Sequence, residues 1–296
     1  MLDAKVFTFL EVAEQGSYTR AAERLHLTQP AVTQQIHRLE EHFGRRLVDT
    51  RGRSVRLTPA GEELKKHVQI QLVNERRLMQ RMVAGDPLLR LGATLSIADY
   101  YLPEPLARVL ASVQVPQVCV GNTQTLTQRM LAGDLDCALV EGLFDHALFE
   151  AHVWRFARFV AAARMEHPLV GKPCTMSSLC ACPLLLREQG SGTRAVLENA
   201  LFARGMDLSA FSRTMELGSF GLLKAALAAT DAITFLYEGV IANENKLVAL
   251  DVIDFVLERP LYFLVPLGSS ERERCLALLE ALEPCARPQD RETSAK

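Results

Sequence analysis

The chain has 296 residues, a formal net charge of −2 and a hydrophobic content of 49%. Its length is enough for more than one hydrophobic core, and its near-neutral charge excludes a generic polycation. No uncharged apolar run reaches about 18 residues, the length needed to span a membrane, and the first helical turns carry charges. We therefore expect no membrane span, no signal peptide and a cytoplasmic location.

Two short helices joined by a tight turn are predicted near the N-terminus. Ala21, Ala22 and Leu25 recur at helical spacing, which predicts a first helix over 19–25. Thr28 is a good N-cap for a second helix, and Pro30 suits its first turn. A helix-turn-helix DNA reader places its second helix in the major groove, where polar side chains of the first turn reach the bases. An ordinary helical hairpin is the alternative.

The polar surface of this segment and the hairpin after it supply candidate DNA contacts. From the two helices, the candidates are Ser17, Thr19, Thr28, Gln29, Pro30, Ala31, Thr33, Gln34 and Arg38. Farther along, Val55 and Leu57 alternate with Arg56, which predicts a short hairpin with a basic tip. We expect Arg51 and Arg53 of this hairpin to contact DNA phosphates as a wing does. A solvated surface hairpin is the alternative.

A long helix is predicted after the hairpin. Thr58 caps this helix and no helix breaker follows until Gly85, so it runs from about 59 to 84. Its apolar stripe contains Leu64, Val68, Leu72 and Met79. Because a helix between two domains has nothing in its own chain to cover such a stripe, we expect it to pair with the same helix of a second subunit. Packing onto its own N-terminal domain is the alternative.

Residues 1 to about 85 resemble the DNA-binding region of LysR-type transcriptional regulators. The matching residues include Phe9, Ala13, Gly16, Ser17, Ala21, Ala22, Leu25, Gln29, Pro30, Ala31, Val32, Gln35, Ile36, Leu39, Glu40, Gly44, Leu47, Arg53, Val55, Leu57, Thr58, Ala60, Gly61 and Glu62. Val48 and Thr50 depart from the family pattern, which usually has Phe and Arg there. The resemblance implies binding to double-stranded promoter DNA as a homodimer, or as a homotetramer of two dimers. RNA polymerase is a further candidate partner.

Strand-like and helical runs alternate beyond residue 86. The predicted strands are 88–94, 115–120, 137–141, 183–187, 232–236 and 261–265, and the predicted helices are 103–113, 125–132, 194–204, 220–229 and 270–282. This alternation predicts α/β units with parallel strands. In sheets of this kind, ligands bind beyond the carboxyl ends of the strands.

Small polar residues lie at the predicted strand-to-helix junctions. Helix N-termini offer free N–H groups and a partial positive charge, which suits an anion. The candidates for binding a small anionic effector are Thr94, Ser96, Asn122, Thr123, Glu141, Ser191, Thr193, Arg194 and Ser219. Two alternatives remain. Residues 190–195 fit the G-x-G-x-x-A pattern of a dinucleotide site, and each junction is also consistent with a simple helix cap.

Residues 88 to about 286 resemble the effector-binding region of the same family, and segments 121–123 and 184–194 are similar to its regulators of sulfur assimilation and carbon dioxide fixation. The resemblance implies an α+β protein with three parts: a winged helix-turn-helix (1–58), a long linker and dimerisation helix with a hinge (59–87), and an α/β effector-binding domain (88–286). That domain is expected to contain two Rossmann-like subdomains, as in periplasmic binding proteins. Their expected bounds are about 88–161 with 266–286, and about 162–265, before a disordered tail over 287–296.

No motif of an enzyme or a metal site stands out. We find no nucleophile elbow, no zinc-protease motif and no acid–base pair, so we expect neither catalytic activity nor a metal or other cofactor. Cys174, Cys180 and Cys182 lie close together in the sequence. Thiol or redox sensing through these residues is the alternative to a bound anion.

Overall fold

A computed structural model describes residues 3–51, 54–110, 116–242 and 244–283. The chain divides into two compact units, one formed by residues up to Pro87 with 268–270 and the other by 88–267 with the residues from Glu271. Among the described residues, no helix has both the length and the apolar character needed to cross a membrane. The predicted tail over 287–296 lies outside them.

The N-terminal unit contains helices, a hairpin and one long helix. Its elements are α1 (Ala4–Gln15), α2 (Tyr18–Leu25), α3 (Gln29–Phe43), β1 (Val48–Arg51), β2 (Ser54–Leu57) and α4 (Pro59–Ala84). The β1 and β2 strands pair antiparallel. The side chains of Ser17, Thr28 and Thr58 cap α2, α3 and α4, because each accepts a hydrogen bond from a backbone N–H of the first turn. The predicted helix-turn-helix and hairpin are thereby confirmed.

Two contacts fix the hairpin against the helices. The buried Glu40 accepts hydrogen bonds from the backbone N–H groups of Leu47 at 2.8 Å and Val48 at 3.3 Å. At the start of α4, a Cβ atom on Gly61 would lie 2.0 Å from the carbonyl oxygen of Leu47, so only glycine fits there. Val48, which departs from the family pattern, is buried in the core of this unit.

Nine strands of the described residues form one mixed sheet in the C-terminal unit. They are β3 (Arg90–Thr94), β4 (Gln117–Gly121), β5 (Cys137–Val140), β6 (Phe149–Arg164), β7 (Pro183–Leu186), β8 (Arg213–Glu216), β9 (Ile233–Tyr237), β10 (Leu247–Ala249) and β11 (Leu257–Pro266). Their order is β4-β3-β5-β11-β6-β9-β7-β8, with β10 paired to β6. The strands β3, β4 and β5 run parallel, as do β7, β8 and β9, and the long antiparallel pair of β6 and β11 joins these two halves.

Helices accompany both halves of the sheet. They are α5 (Leu95–Tyr100), α6 (Pro103–Val109), α7 (Thr123–Leu131), α8 (Met176–Cys180), α9 (Gly192–Phe202), α10 (Phe220–Ala229) and α11 (Arg272–Leu282). Two α/β halves of this kind confirm the predicted α+β architecture. The sequence analysis missed β6, β8 and β10 and the short helices α5 and α8. The predicted helix over 103–113 ends at Val109, and residues 111–115 lie outside the described part of the chain.

Candidate functional site

Four helices begin around one pocket in the C-terminal unit. The pocket has a volume of about 230 Å³, and it is lined by Thr94, Leu95, Val120, Gly121, Asn122, Glu141, Arg187, Glu188, Ser191, Gly192 and Gly218. These residues lie just beyond the ends of β3, β4, β5 and β7 and at or near the starts of α5, α7, α9 and α10. The N-termini of α7, α9 and α10 therefore bring free N–H groups and partial positive charge to the pocket.

A buried carboxyl group forms one wall of the pocket. Glu141 is 2% exposed, and its two carboxyl oxygens accept hydrogen bonds from the hydroxyls of Thr94 at 2.6 Å, Ser96 at 2.8 Å and Thr193 at 3.1 Å. Burial raises the pKa of Glu141, although the three hydrogen bonds and the charge of Arg187 oppose that shift. Each hydroxyl has one hydrogen to donate, so these three hydroxyls donate to the Glu141 carboxyl group instead of to a ligand.

Arg187 supplies the positive charge of the pocket, although the sequence analysis did not select it. Its guanidinium pairs with the carboxylate of Glu188 through Nε–Oε2 at 2.9 Å and Nη2–Oε1 at 3.0 Å. It also lies over the ring of Phe220, 4.1 Å from the centroid. Its position at the end of the predicted strand over 183–187 was the only sequence signal for it, because Phe220, on which its guanidinium lies, comes from a distant part of the chain.

The other predicted residues of the pocket differ in what they contact. Ser191 lies buried at the N-cap of α9 and makes no capping hydrogen bond with its side chain. Asn122 lines the pocket and caps α7 through the N–H of Thr125 at 2.8 Å. Thr123 donates to the backbone carbonyl of Glu141. Ser219 is exposed and caps α10, while the neighbouring Gly218 lines the pocket.

Arg194 lies outside this pocket, unlike our expectation. Its guanidinium pairs with the carboxylates of Glu198 and Glu216, which direct it toward a neighbouring cavity. Gly192 explains how the loop before α9 approaches β5 so closely. A Cβ atom there would lie 2.2 Å from the carbonyl oxygen of Glu141.

The predicted DNA-reading residues lie on and around α3. Thr19, Thr28, Gln29, Pro30, Gln34 and Arg38 are exposed, while Ser17, Ala31 and Thr33 are half-buried. The hydroxyl of Thr33 donates to the backbone carbonyl of Gln29 at 3.0 Å. Because that bond uses the only hydrogen of the hydroxyl, Thr33 can offer a partner its methyl group and an acceptor oxygen. Contact of these residues with DNA stays a prediction.

The basic tip of the hairpin is only partly described. Arg51 ends β1, its side chain is not among the described ones, and residues 52–53 lie outside the described ranges. The prediction that Arg51 and Arg53 contact phosphates therefore stays a prediction.

The apolar stripe of α4 is covered unevenly. Leu64 packs against the core of the N-terminal unit, and Val68 is buried within the single chain. We expected Val68 to be covered by a second subunit, and its burial in one chain corrects that expectation. Leu72 is half-buried. The apolar residues of α4 that remain exposed are Leu78, Met79, Met82 and Val83.

The surroundings of the three neighbouring cysteines favour the protonated thiol. Burial raises the pKa of the Cys174, Cys180 and Cys182 thiols. The Cys174 thiol donates to the backbone carbonyl of Asp251 at 3.4 Å, and Sγ of Cys182 lies 3.9 Å from Nε2 of His167. Since the thiolate is the reactive form, this environment opposes redox reactivity.

Known proteins resemble both units. Residues 5–62 match the family described as "Bacterial regulatory helix-turn-helix protein, lysR family", and residues 85–285 match "LysR substrate binding domain". The RuBisCO operon transcriptional regulator of Acidithiobacillus ferrooxidans is 33% identical over 285 residues, which cover 93% of this chain and 91% of that protein. This similarity confirms the expected likeness to regulators of carbon dioxide fixation.

Two solved structures show related folds. The regulatory domain of Synechocystis PCC6803 CcmR in complex with 2-PG has a TM-score of 0.58 and 26% identity, and it covers 67% of this chain and 98% of that one. Full-length LysG from Corynebacterium glutamicum with bound effector Arg has a TM-score of 0.63 and 20% identity, with 96% and 100% coverage.

Proposed function

The chain belongs to the LysR family of DNA-binding transcriptional regulators, and we propose that the pocket at its strand ends binds a small anionic effector. Domains of this family bind small effector molecules. Effector binding in the C-terminal unit would then change how the N-terminal unit acts at promoter DNA.

The convergence of positive potential on one small pocket supports an anion. Three helices of nine to eleven residues begin around it, and Arg187 presents a guanidinium to it. Helix N-termini and arginine are the groups that proteins use to hold phosphate, sulfate and carboxylate. The volume of about 230 Å³ suits a molecule of a few heavy atoms. The 2-PG held by the CcmR regulatory domain is consistent with such a ligand.

The exposed apolar face of α4 is the basis for a proposal on how copies of the chain assemble. We propose that two copies pair through Leu72, Met79 and the exposed apolar residues near the end of this helix, since an uncovered apolar stripe favours association. We also propose that two such dimers form a tetramer on double-stranded promoter DNA, and that RNA polymerase is contacted there.

A ligand screen tests the proposal. Sulfate, thiosulfate, sulfite, phosphorylated sugars, small carboxylates and 2-PG are added at constant ionic strength while thermal stability is followed. A true ligand at 100 times its dissociation constant stabilises the protein by about 2.7 kcal/mol. Arg187→Ala should remove this effect, whereas Arg194→Ala, which removes an arginine outside the pocket, should keep it. A neutral aromatic as the best ligand, or a normal response of the Arg187 variant, would contradict an anion pocket.

Thiol sensing has no comparable support. The raised pKa values of Cys174, Cys180 and Cys182 keep their thiols protonated. No observation on the described residues therefore favours a redox signal over a bound effector.

A further inference from the structure

The pocket carries more carboxyl groups than an anion site is expected to have. Two carboxyl groups, Glu141 and Glu188, line it together with a single arginine, Arg187. An anion that simply added to this set would face two carboxyl groups and one positive charge that is already paired. The arrangement of the Arg187–Glu188 pair resolves this problem.

Arg187 is held in place on several sides. Its side chain is only 5% exposed, and one face of its guanidinium lies on the Phe220 ring. The hydrogen bond from Nη1 of Arg194 at 3.3 Å goes to the backbone carbonyl of Arg187 and does not hold its guanidinium. The Nε and Nη2 edge of Arg187, which is the edge that binds two oxygens of one anion, is occupied by Glu188.

Glu188 is the more easily displaced partner of the pair. Its side chain is 28% exposed, and it lies in the loop between β7 and α9, where Gly190 adopts a φ of +84°. Among the described side chains, it is Arg187 that donates hydrogen bonds to the Glu188 carboxylate. Rotation of Glu188 into solvent would therefore restore its hydration at little cost, whereas Arg187 would stay at the pocket.

We propose that Glu188 is a built-in competitor for Arg187, and that the effector binds by displacing the Glu188 carboxylate from the Arg187 guanidinium. This inference rests on the proposed effector function and specifies how the ligand enters. One carboxylate leaves as one anion arrives, so a singly charged oxyanion group preserves the net charge around Glu141, and a dianion adds one negative charge instead of two. The ligand class is an oxyanion with two oxygens spaced like those of a carboxylate, which includes carboxylates, sulfate and phosphate.

Glu188→Gln tests displacement directly, with Glu198→Gln as the matched control. Both substitutions remove one carboxylate that pairs with an arginine, Arg187 inside the pocket or Arg194 outside it. Binding of sulfate, inorganic phosphate and 2-PG is measured by calorimetry on the full chain at constant ionic strength. Glu188→Gln should lower the dissociation constant about tenfold, because the competing charge is gone. Glu198→Gln should change it less than about twofold.

A second variant distinguishes a Glu188 that competes for Arg187 from a Glu188 that supports the structure of the pocket. Glu188→Asp keeps the charge but is too short to hold both nitrogens of Arg187, so it should tighten binding by a smaller factor than Glu188→Gln. A structural role for Glu188 would weaken binding in both variants, which would overturn displacement. Suppose instead that Glu188→Gln bound the anions as tightly as wild type does, and that Arg187→Ala abolished binding. That result would overturn displacement and leave the proposed function standing. If neither these three anions nor any other anion of the wider screen bound the wild-type chain, the proposed function would fail together with this inference.

Discussion

At the scale of single residues, the titration of Glu141 has a direct effect on stability. Burial favours its protonated form in the folded chain, which raises its pKa above the value in the unfolded chain. The folded state then binds the proton more tightly than the unfolded state. This contribution to stability is fully present below the unfolded pKa and is lost as the pH rises through the raised folded pKa.

We expect Glu141→Gln to reduce the pH dependence of stability. The amide is neutral at every pH and can still accept hydrogen bonds from Ser96 and Thr193 through its oxygen. Urea unfolding of the effector-free chain at pH 5 and pH 7.5 should show a larger loss of unfolding free energy on raising the pH in wild type than in the variant. Equal losses in the two proteins would show that Glu141 titrates normally in the fold.

The sequence identified some pocket residues better than others. Glu141, Thr94 and Ser191 were predicted because they lie at the ends of recognisable strands or at the starts of helices. Arg187 was missed and Arg194 was misplaced, because the ion-pair partner of each arginine determines where its guanidinium points. The hydrogen bonds of Arg187 to Glu188 and of Arg194 to Glu216 depend on how the loop folds, which local sequence patterns do not determine.

At the scale of secondary-structure elements, α3 is the expected reader of base sequence. Gln34 is exposed on α3, and a glutamine side chain can hold an adenine edge with two hydrogen bonds. Gln34→Ala should reduce discrimination between specific and random DNA by roughly 1–3 kcal/mol. Arg38→Ala, a phosphate contact in this account, should weaken both kinds of binding about equally. Filter-binding titrations at matched salt measure both effects, and unchanged specificity in the first variant would exclude Gln34 from base reading.

The exposed end of α4 is the expected contact between subunits. Met79 is 61% exposed in one chain, so a charge there should disturb pairing without disturbing the fold of the chain. Met79→Glu should yield smaller particles in sedimentation velocity and weaker promoter binding, because it buries a charge at an apolar contact. Gln80→Glu adds the same charge at the next exposed position of the helix, in place of a polar side chain that accepts a hydrogen bond from Arg77, and serves as the control. A Met79 variant of unchanged size would place the subunit contact elsewhere.

Two strands of the sheet, β6 and β8, could not be predicted from the sequence pattern. β6 was missed because its partners change along its length, from β11 over 149–159 to β9 and β10 over 159–164. Its burial pattern therefore lacks a steady alternation of apolar and polar residues. β8 is exposed along its whole length at the edge of the sheet, so it carries no apolar pattern at all.

At the scale of the whole molecule, the proposed coupling between effector binding and DNA binding acts in both directions. If an oxyanion changes the affinity for promoter DNA by some factor, DNA changes the affinity for the oxyanion by the same factor. The alternation of strands and helices was sufficient to predict α/β units and a ligand site at the strand ends, and the family resemblance implied two such halves. The coupling between the units depends on differences in free energy between states, which one sequence does not reveal.

The most direct test is a footprint titration on the DNA upstream of the chain's own gene. Wild type, Arg187→Ala and Arg194→Ala are compared with and without saturating sulfate, phosphate or 2-PG, at ionic strength matched with sodium chloride. At least one oxyanion should change the protected length, or change the affinity by about fivefold or more, in wild type and Arg194→Ala. Arg187→Ala should bind the same DNA without responding. A footprint in Arg187→Ala that still responds to the oxyanion, or a wild-type footprint unchanged while the oxyanion is bound, would contradict an anion-regulated DNA-binding protein.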